Sequence, residues 1–233
     1  MFIVDNVINY LQCIQEMPVA TMFRGQLDTD FELVPSIARY AKVLNGYESI
    51  EGIEEDLISE FEKYVCPMQD LRNLPLIETL VHAQHYGLPT RLLDWSTNPL
   101  KALYFAVENP AFDGRDAVVI VFSPLFWFEG TKEVTDISQI TAFYPEILNE
   151  RINAQDGCFT AFPLPSSGFS VPELSEENYP NEVEFMAELL VPKEAKIYLR
   201  AELNQLGINH RTIYPGIDGV ARWIKSSFSG YRI

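Results

Sequence analysis

Gln84-His85-Tyr86-Gly87-Leu88-Pro89-Thr90-Arg91-Leu92-Leu93-Asp94-Trp95-Ser96-Thr97-Asn98-Pro99 decides how the chain is read, because one short run holds a helix end, a strand and a helix start. Gly87 suits the left-handed terminator of a helix over residues 76–86, and Pro89 stands just beyond it, where a helix cannot continue. Asn98 and Pro99 then supply a cap and a first-turn proline for a helix through Val107. An imidazole, a guanidinium, a carboxylate, two aromatic rings and several hydroxyls thus crowd one helix–turn–strand–helix junction. Two readings stand here. Either Asp94 pairs with Arg91 across a tight turn while Trp95 fills core and Asn98 only caps, or the run carries a site.

Working toward the N-terminus, residues 5–15 predict a helix with Asp5 as cap and Val7, Ile8, Leu11 and Ile14 as its apolar stripe, ended by Pro18. Residues 18–25 read as a short strand that delivers Arg24 to its end, with Gly25 allowing a close backbone turn. Residues 33–65 are helical in pattern: 34–40 open one helix and 49–65 form another, with Ile50, Ile53, Leu57, Ile58 and Phe61 on one side. The glutamates of that second helix, Glu51, Glu54, Glu55, Glu60 and Glu62, read as a solvated face.

Toward the C-terminus, residues 117–122 form a nearly continuous β-branched apolar run, the pattern of a strand buried on both faces. Residues 182–191 give a second strand. Between them lies a Pro, Ser and Gly-rich loop over 162–180, of the kind that is usually functional or mobile. Helices over 194–205, ended by Gly207, and 216–225 complete the chain. Helices alternating with isolated strands indicate one α+β domain over residues 1–233, with a helical insertion at about 33–87 and strands separated by long insertions.

Composition narrows the function classes. The 233 residues are 47% hydrophobic and 21% charged, as in an ordinary folded chain. A formal net charge of −16 opposes broad adhesion to nucleic acid or to an anionic membrane, so an anionic ligand needs a local arginine cluster. Arg24, Arg91 and Arg151 each sit inside a distinctive polar block. Cys13, Cys66 and Cys158 are widely spaced, which argues against a disulfide framework or zinc knuckle and for reduced thiols in the cytoplasm. Cys158 reads as a small buried residue. No run approaches the roughly eighteen apolar residues of a membrane span, and Asp5 without a basic lead argues against a signal peptide. His82 and His85 lie three apart with no third ligand nearby, so no metal is expected. His210 and Arg211 read as an exposed turn. G-x-S-x-G, G-x-x-x-x-G-K-[ST] and G-x-G-x-x-G motifs are lacking, which removes the main support for serine-hydrolase, P-loop and Rossmann mechanisms.

Phe23-Arg24-Gly25, the block from Gln84 to Pro99 and its continuation Leu100-Lys101-Ala102-Leu103-Tyr104-Phe105-Ala106 closely resemble the FRG domain family, named for the first tripeptide. Arg151-Ile152-Asn153-Ala154-Gln155-Asp156-Gly157-Cys158-Phe159-Thr160 looks like its third block. The resemblance spans about residues 22–223 and points to bacterial and phage proteins, with phage defence as the implied setting.

A more distant similarity suggests chemistry. ADP-ribosyltransferases of the arginine-serine-glutamate type show an early aromatic-Arg-Gly string, a Ser-Thr-Ser strand leading into an Ala-x-x-Phe helix, and a late glutamate before an apolar, proline-ended strand. Here the order is Phe23-Arg24-Gly25, then Trp95-Ser96-Thr97-Asn98 into Ala102-Leu103-Tyr104-Phe105, then Glu188-Leu189-Leu190-Val191-Pro192. This resemblance implies split small β-sheets with inserted helices, and NAD as a substrate whose ADP-ribose passes to an unidentified acceptor, such as a protein, or to water.

Cleavage of the nicotinamide–ribose bond develops an oxocarbenium-like sugar, which a carboxylate stabilises. The resemblance gives that role to Glu188, braced by Ser96 with Thr97 in reserve and His85 near the ligand. Arg24, beside Gly25, would hold the pyrophosphate bidentately. Tyr86, Trp95 or Phe159 would offer a face to nicotinamide, and Gln155 a hydrogen bond. The acidic residue expected two places before the glutamate is Met186 here. Glu184, paired with Glu182, is therefore an alternative catalytic acid, and a third reading makes both ordinary edge-strand charges. A second class of function is a non-enzymatic module in which Arg24, Arg91 and Arg151 hold a nucleotide or phosphorylated ligand. A third is an accessory protein whose acidic surface docks a partner.

Overall fold

Asn6 rather than Asp5 starts the first helix: its backbone is extended and its side chain accepts from the Asn9 N–H at 2.8 Å. The computed structural model describes residues 2–40, 46–68, 71, 73–128, 137–146 and 149–229. In chain order it contains β1 (Phe2–Ile3), α1 (Val7–Gln15), β2 (Met22–Gln26), α2 (Ser36–Tyr40), α3 (Ile50–Val65), α4 (Leu76–His85), β3 (Leu92–Ser96) and α5 (Pro99–Val107). There follow β4 (Ala117–Pro124), β5 (Thr141–Phe143), α6 (Glu150–Gln155), β6 (Gly157–Ala161), β7 (Val183–Val191), α7 (Lys196–Gln205), α8 (His210–Ile213) and α9 (Ile217–Ser229). The helical pattern over residues 41–45, 69–70 and 72 lies outside the described residues.

The strands make one seven-stranded mixed sheet of order β1-β7-β4-β2-β3-β6-β5, parallel at β1/β7 and antiparallel elsewhere. The architecture is mixed α/β with the helices and strands of an α+β molecule. Its joints are unequal. β4 and β7 pair along their length, and β2 pairs with β4 from Met22 to Gln26. β2 meets β3 at the single pair Phe23↔Ser96. The expected pair of small sheets is thus one sheet with a narrow seam.

Side-chain alternation sends Phe23, Val119, Val121, Leu189 and Val191 to one face, where α1, α5 and α7 pack on them. Gly25 lies inside β2 rather than in a turn. A Cβ there would come within 2.0 Å of the Ala102 carbonyl oxygen, so its bare backbone lets α5 press against the strand. Arg24 consequently stands mid-strand, not at a strand end. On the same face, α4 packs on Leu92, Phe143, Phe159 and Ala161.

The opposite face carries Met22, Leu93, Trp95, Ile120, Phe122 and Cys158, covered by Phe162, Leu174 and Tyr179. These last residues belong to the irregular segment over 162–180, which therefore serves as a wall of the core. Burial pushes the Cys158 thiol well up and keeps it un-ionised. Burial, with Glu182 nearby, pushes the Tyr179 hydroxyl up to about 12. β4 is buried along its whole length, as its continuous apolar pattern requires.

Two polar ties set how the helical part meets the sheet. Glu54, expected in solvent on α3, is buried and ion-paired with Arg91; Glu54 Oε1 also accepts from the Arg91 backbone N–H at 2.6 Å. The apolar stripe of α3 turns Glu54 inward next to Ile53, and Arg91 supplies the compensating charge. Asp156 ends α6 in the left-handed conformation, at φ 48°, and takes Lys101 Nζ at 2.6 Å and Asn98 Nδ2 at 3.1 Å. That contact pins the start of α5 to the turn before β6.

Candidate functional site

The seam between β2 and β3 opens into a cavity of about 380 Å³. Its walls come from the three polar blocks of the sequence: Arg24 and Gly25 from β2, Gln84 and His85 from the end of α4, Asp94 and Ser96 from β3, and Arg151, Gln155 and Phe159 from α6 and β6. Arg39 of α2, Phe31 and Glu32 after β2, Phe105 of α5 and its C-cap Glu108 also line it. The fold explains the convergence. β3 and β6 pair from Leu92↔Ala161 to Ser96↔Gly157, which carries the third block to the second, while Phe23↔Ser96 carries the first.

Arg24 is the central cation. Its Nη1 donates to the Asp94 backbone carbonyl at 2.6 Å, whereas Nε is buried without a hydrogen-bond partner. Burial pulls its pKa down, Asp94 opposes that shift and the nearby Arg39 adds to it. A half-buried guanidinium beside a second arginine, with a donor to spare, suits an anionic ligand. Asp94 is itself fixed: Gln84 Nε2 donates to its Oδ1 at 2.8 Å, while Gln84 Oε1 accepts from the Thr90 hydroxyl.

His85 is half-buried, with its ring edge-on to Tyr86 at 5.0 Å. Burial, then Arg151 and His82, lowers its pKa and favours the neutral imidazole. The Ser96 hydroxyl donates to the Gln155 carbonyl at 2.7 Å and accepts from the Asn98 N–H at 3.1 Å, so it ties β3 to α6 and α5. Gln155 Nε2 donates to the Ile213 carbonyl at 3.3 Å. Trp95 reaches the cavity from the core, stacked on Phe122 at 5.0 Å with its Nε1 donating to Thr160 Oγ1 at 3.0 Å. Phe159 is stacked on Phe143 at 5.5 Å.

Other sequence candidates lie elsewhere. Arg91 is buried against Glu54 and does not line the cavity, so the second arginine beside Arg24 is Arg39. Tyr86 is exposed, its ring 6.4 Å from that of Phe61, and does not line the cavity. Thr97 is held at the α6–β6 turn, its N–H donating to the Asp156 carbonyl at 2.9 Å. Glu188 is exposed on β7 opposite Ile120 of β4, which in turn lies opposite Arg24: the glutamate is two strands away. Glu184, also exposed, accepts from Ser123 Oγ at 2.9 Å. Neither glutamate lines the cavity.

The sequence reading missed Arg39 and Glu108. Glu108, the C-cap of α5, stands three residues after Phe105 of the signature block, and that spacing was the available signal. His210, read as exposed, is instead half-buried at the start of α8, packed edge-on to Tyr104 at 5.7 Å. Among the described residues no group of three or more His, Cys, Asp or Glu could hold a metal ion, and no helix is long and apolar enough to cross a membrane.

No curated protein and no solved structure matches the chain. The stretch holding the first two blocks, β2, β3 and α5 does find a counterpart: residues 19–114 match the family model of the FRG domain, in agreement with the resemblance of those blocks.

Proposed function

We propose that the cavity at the β2/β3 seam binds a nucleotide of the NAD class and that the protein is an ADP-ribosyltransferase-like enzyme, passing ADP-ribose to an acceptor or to water. One observation carries this reading: three blocks far apart in sequence converge on one cavity, whose lining combines Arg24 and Arg39 with aromatic rings. Guanidinium groups suit a pyrophosphate and aromatic faces suit planar rings. The narrow β2/β3 seam of the single sheet supports the reading, because it leaves room for a nucleotide between the two strands. The acceptor and the setting in phage defence remain parts of the proposal that rest on the resemblance alone.

A second reading has its own support. Neither Glu188 nor Glu184 reaches the cavity, which favours a module that binds the nucleotide without cleaving it. Calorimetric titration of the full chain with NAD, run beside an assay of nicotinamide release, separates the readings. Binding with release supports the enzyme, binding without release supports the module, and no binding overturns both.

A further inference from the structure

Glu108 is the C-terminal cap of α5, lines the cavity and keeps 19% of its side chain exposed. The Tyr214 hydroxyl lies 2.9 Å from one of its carboxylate oxygens and 2.8 Å from the other. A phenol has a single proton to donate, so the carboxylate keeps lone pairs for the cavity. Tyr214 is in turn held on several sides. Arg151 and Arg222 lie over its ring at 5.5 and 5.4 Å, and Phe105 meets it edge-on at 6.4 Å.

The groups facing Glu108 come from every element around it: Tyr104 of α5, Arg151 of α6, His210 of α8 at 4.0 Å, Tyr214, and Arg222 of α9. Arg200 of α7 lies behind them on the Val107 carbonyl. The cavity lining thus holds three arginines, Arg24, Arg39 and Arg151, and three carboxylates, Glu32, Asp94 and Glu108, of which Glu108 is the one hydrogen-bonded by a tyrosine.

We infer that Glu108 is the carboxylate that faces the ribose of bound NAD, with Tyr214 as its positioning residue. This rests on the nucleotide reading above. The carboxylate accepts a hydrogen bond from a ribose hydroxyl and stabilises the positive charge that grows at C1′ as the bond to nicotinamide breaks. The electron pair of that bond leaves with nicotinamide and neutralises its pyridinium ring. Water attacks C1′ and gives its proton to Glu108, which releases it to solvent. NAD and water thus become ADP-ribose, nicotinamide and one proton. Tyr214 and Arg222 lie beyond the 19–114 match, so the C-terminal segment completes a site whose first parts belong to the FRG stretch.

The test compares the full wild-type chain with Glu108→Gln, Glu108→Asp and Tyr214→Phe, each checked for folding by circular dichroism. Glu108→Gln is expected to keep NAD affinity while nicotinamide release falls on the order of 10²–10³-fold. Glu108→Asp, which keeps the charge on a shorter arm, is expected to lose less. Tyr214→Phe keeps the ring and its arginine contacts but loses a hydrogen bond that favours the ionised carboxylate. Its kcat is expected to fall with KM little changed, and the acid limb of its pH profile to move to higher pH. Release by Glu108→Gln at the wild-type rate overturns the assignment and leaves the nucleotide reading standing. An unmoved acid limb in Tyr214→Phe overturns the positioning role. Wild-type protein that neither binds NAD nor releases nicotinamide overturns the nucleotide reading, and this inference with it.

Discussion

Arg24 Nη1 lies 2.6 Å from the backbone carbonyl oxygen of Asp94, so a side chain of β2 reaches β3 where main-chain pairing has stopped. Continued in register, the ladder would set Gly25 opposite Asp94. Instead the guanidinium takes that carbonyl, and the space between the strands becomes the cavity. Arg24 is thus both a clasp across the sheet and the central cation of the site.

Replacing Arg24 by alanine removes a charged donor, and such hydrogen bonds contribute about 1.5–3 kcal/mol. NAD binding measured by calorimetry is expected to weaken roughly 10- to 100-fold. An unchanged dissociation constant would take Arg24 out of the ligand site.

Gly25→Ala puts a methyl group 2.0 Å from the Ala102 carbonyl oxygen and 2.5 Å from the Ala106 nitrogen, both backbone atoms of α5. The helix must move off β2. A loss of about 3 kcal/mol or more is expected in urea denaturation, along with weaker ligand binding because α5 also carries Phe105 and Glu108. Wild-type stability would contradict the close packing.

Glu54→Gln leaves the buried Arg91 guanidinium without its counter-charge, which costs about 3–5 kcal/mol. The double variant Glu54→Leu/Arg91→Met removes both charges and is expected to recover part of that loss, though the Arg91 backbone N–H loses its acceptor. Chemical denaturation of both variants checks this. A double variant less stable than the single would contradict it.

His85 and His210 give the pH dependence its sign. Burial and neighbouring arginines lower both pKa values in the folded chain, whereas the unfolded imidazoles titrate near the ordinary value of about 6.5. The unfolded state therefore binds these protons first. Their contribution to stability is complete above about pH 6.5 and is lost as pH falls through the lower folded values. Burial raises the pKa of Glu108 and acts in the opposite sense, so single variants are needed to separate the effects. His210→Gln is expected to shrink the drop in Tm between about pH 7 and pH 5; an identical drop would exclude the imidazole as its source.

Local signals in the sequence were enough for the elements whose ends are chemically marked. Ser49 caps α3, Asn98 and Pro99 start α5, and Gly87 follows α4 with φ 91°. β5 and α6 were not legible, being short elements of three and six residues whose patterns average out. The site was legible in its parts, since each polar block contributes a wall. Which arginines face one another was not, because Arg39 and Arg91 differ only in tertiary surroundings: Glu54 draws one into the core and leaves the other at the cavity. Glu108 was hidden for the same reason, as its partner Tyr214 lies 106 residues away.

The Phe23↔Ser96 pair joins two parts of the sheet of unequal pairing length. The long β4/β7 ladder anchors one, while the other is a three-stranded leaf of β3, β6 and β5. A molecule clamped between Arg24 and the residues of β3 and β6 spans both parts, so its binding energy resists opening of that leaf as well as global unfolding. Occupancy of the cavity would therefore register as slower amide exchange along β6, a strand that reaches the rest of the sheet through that one pair.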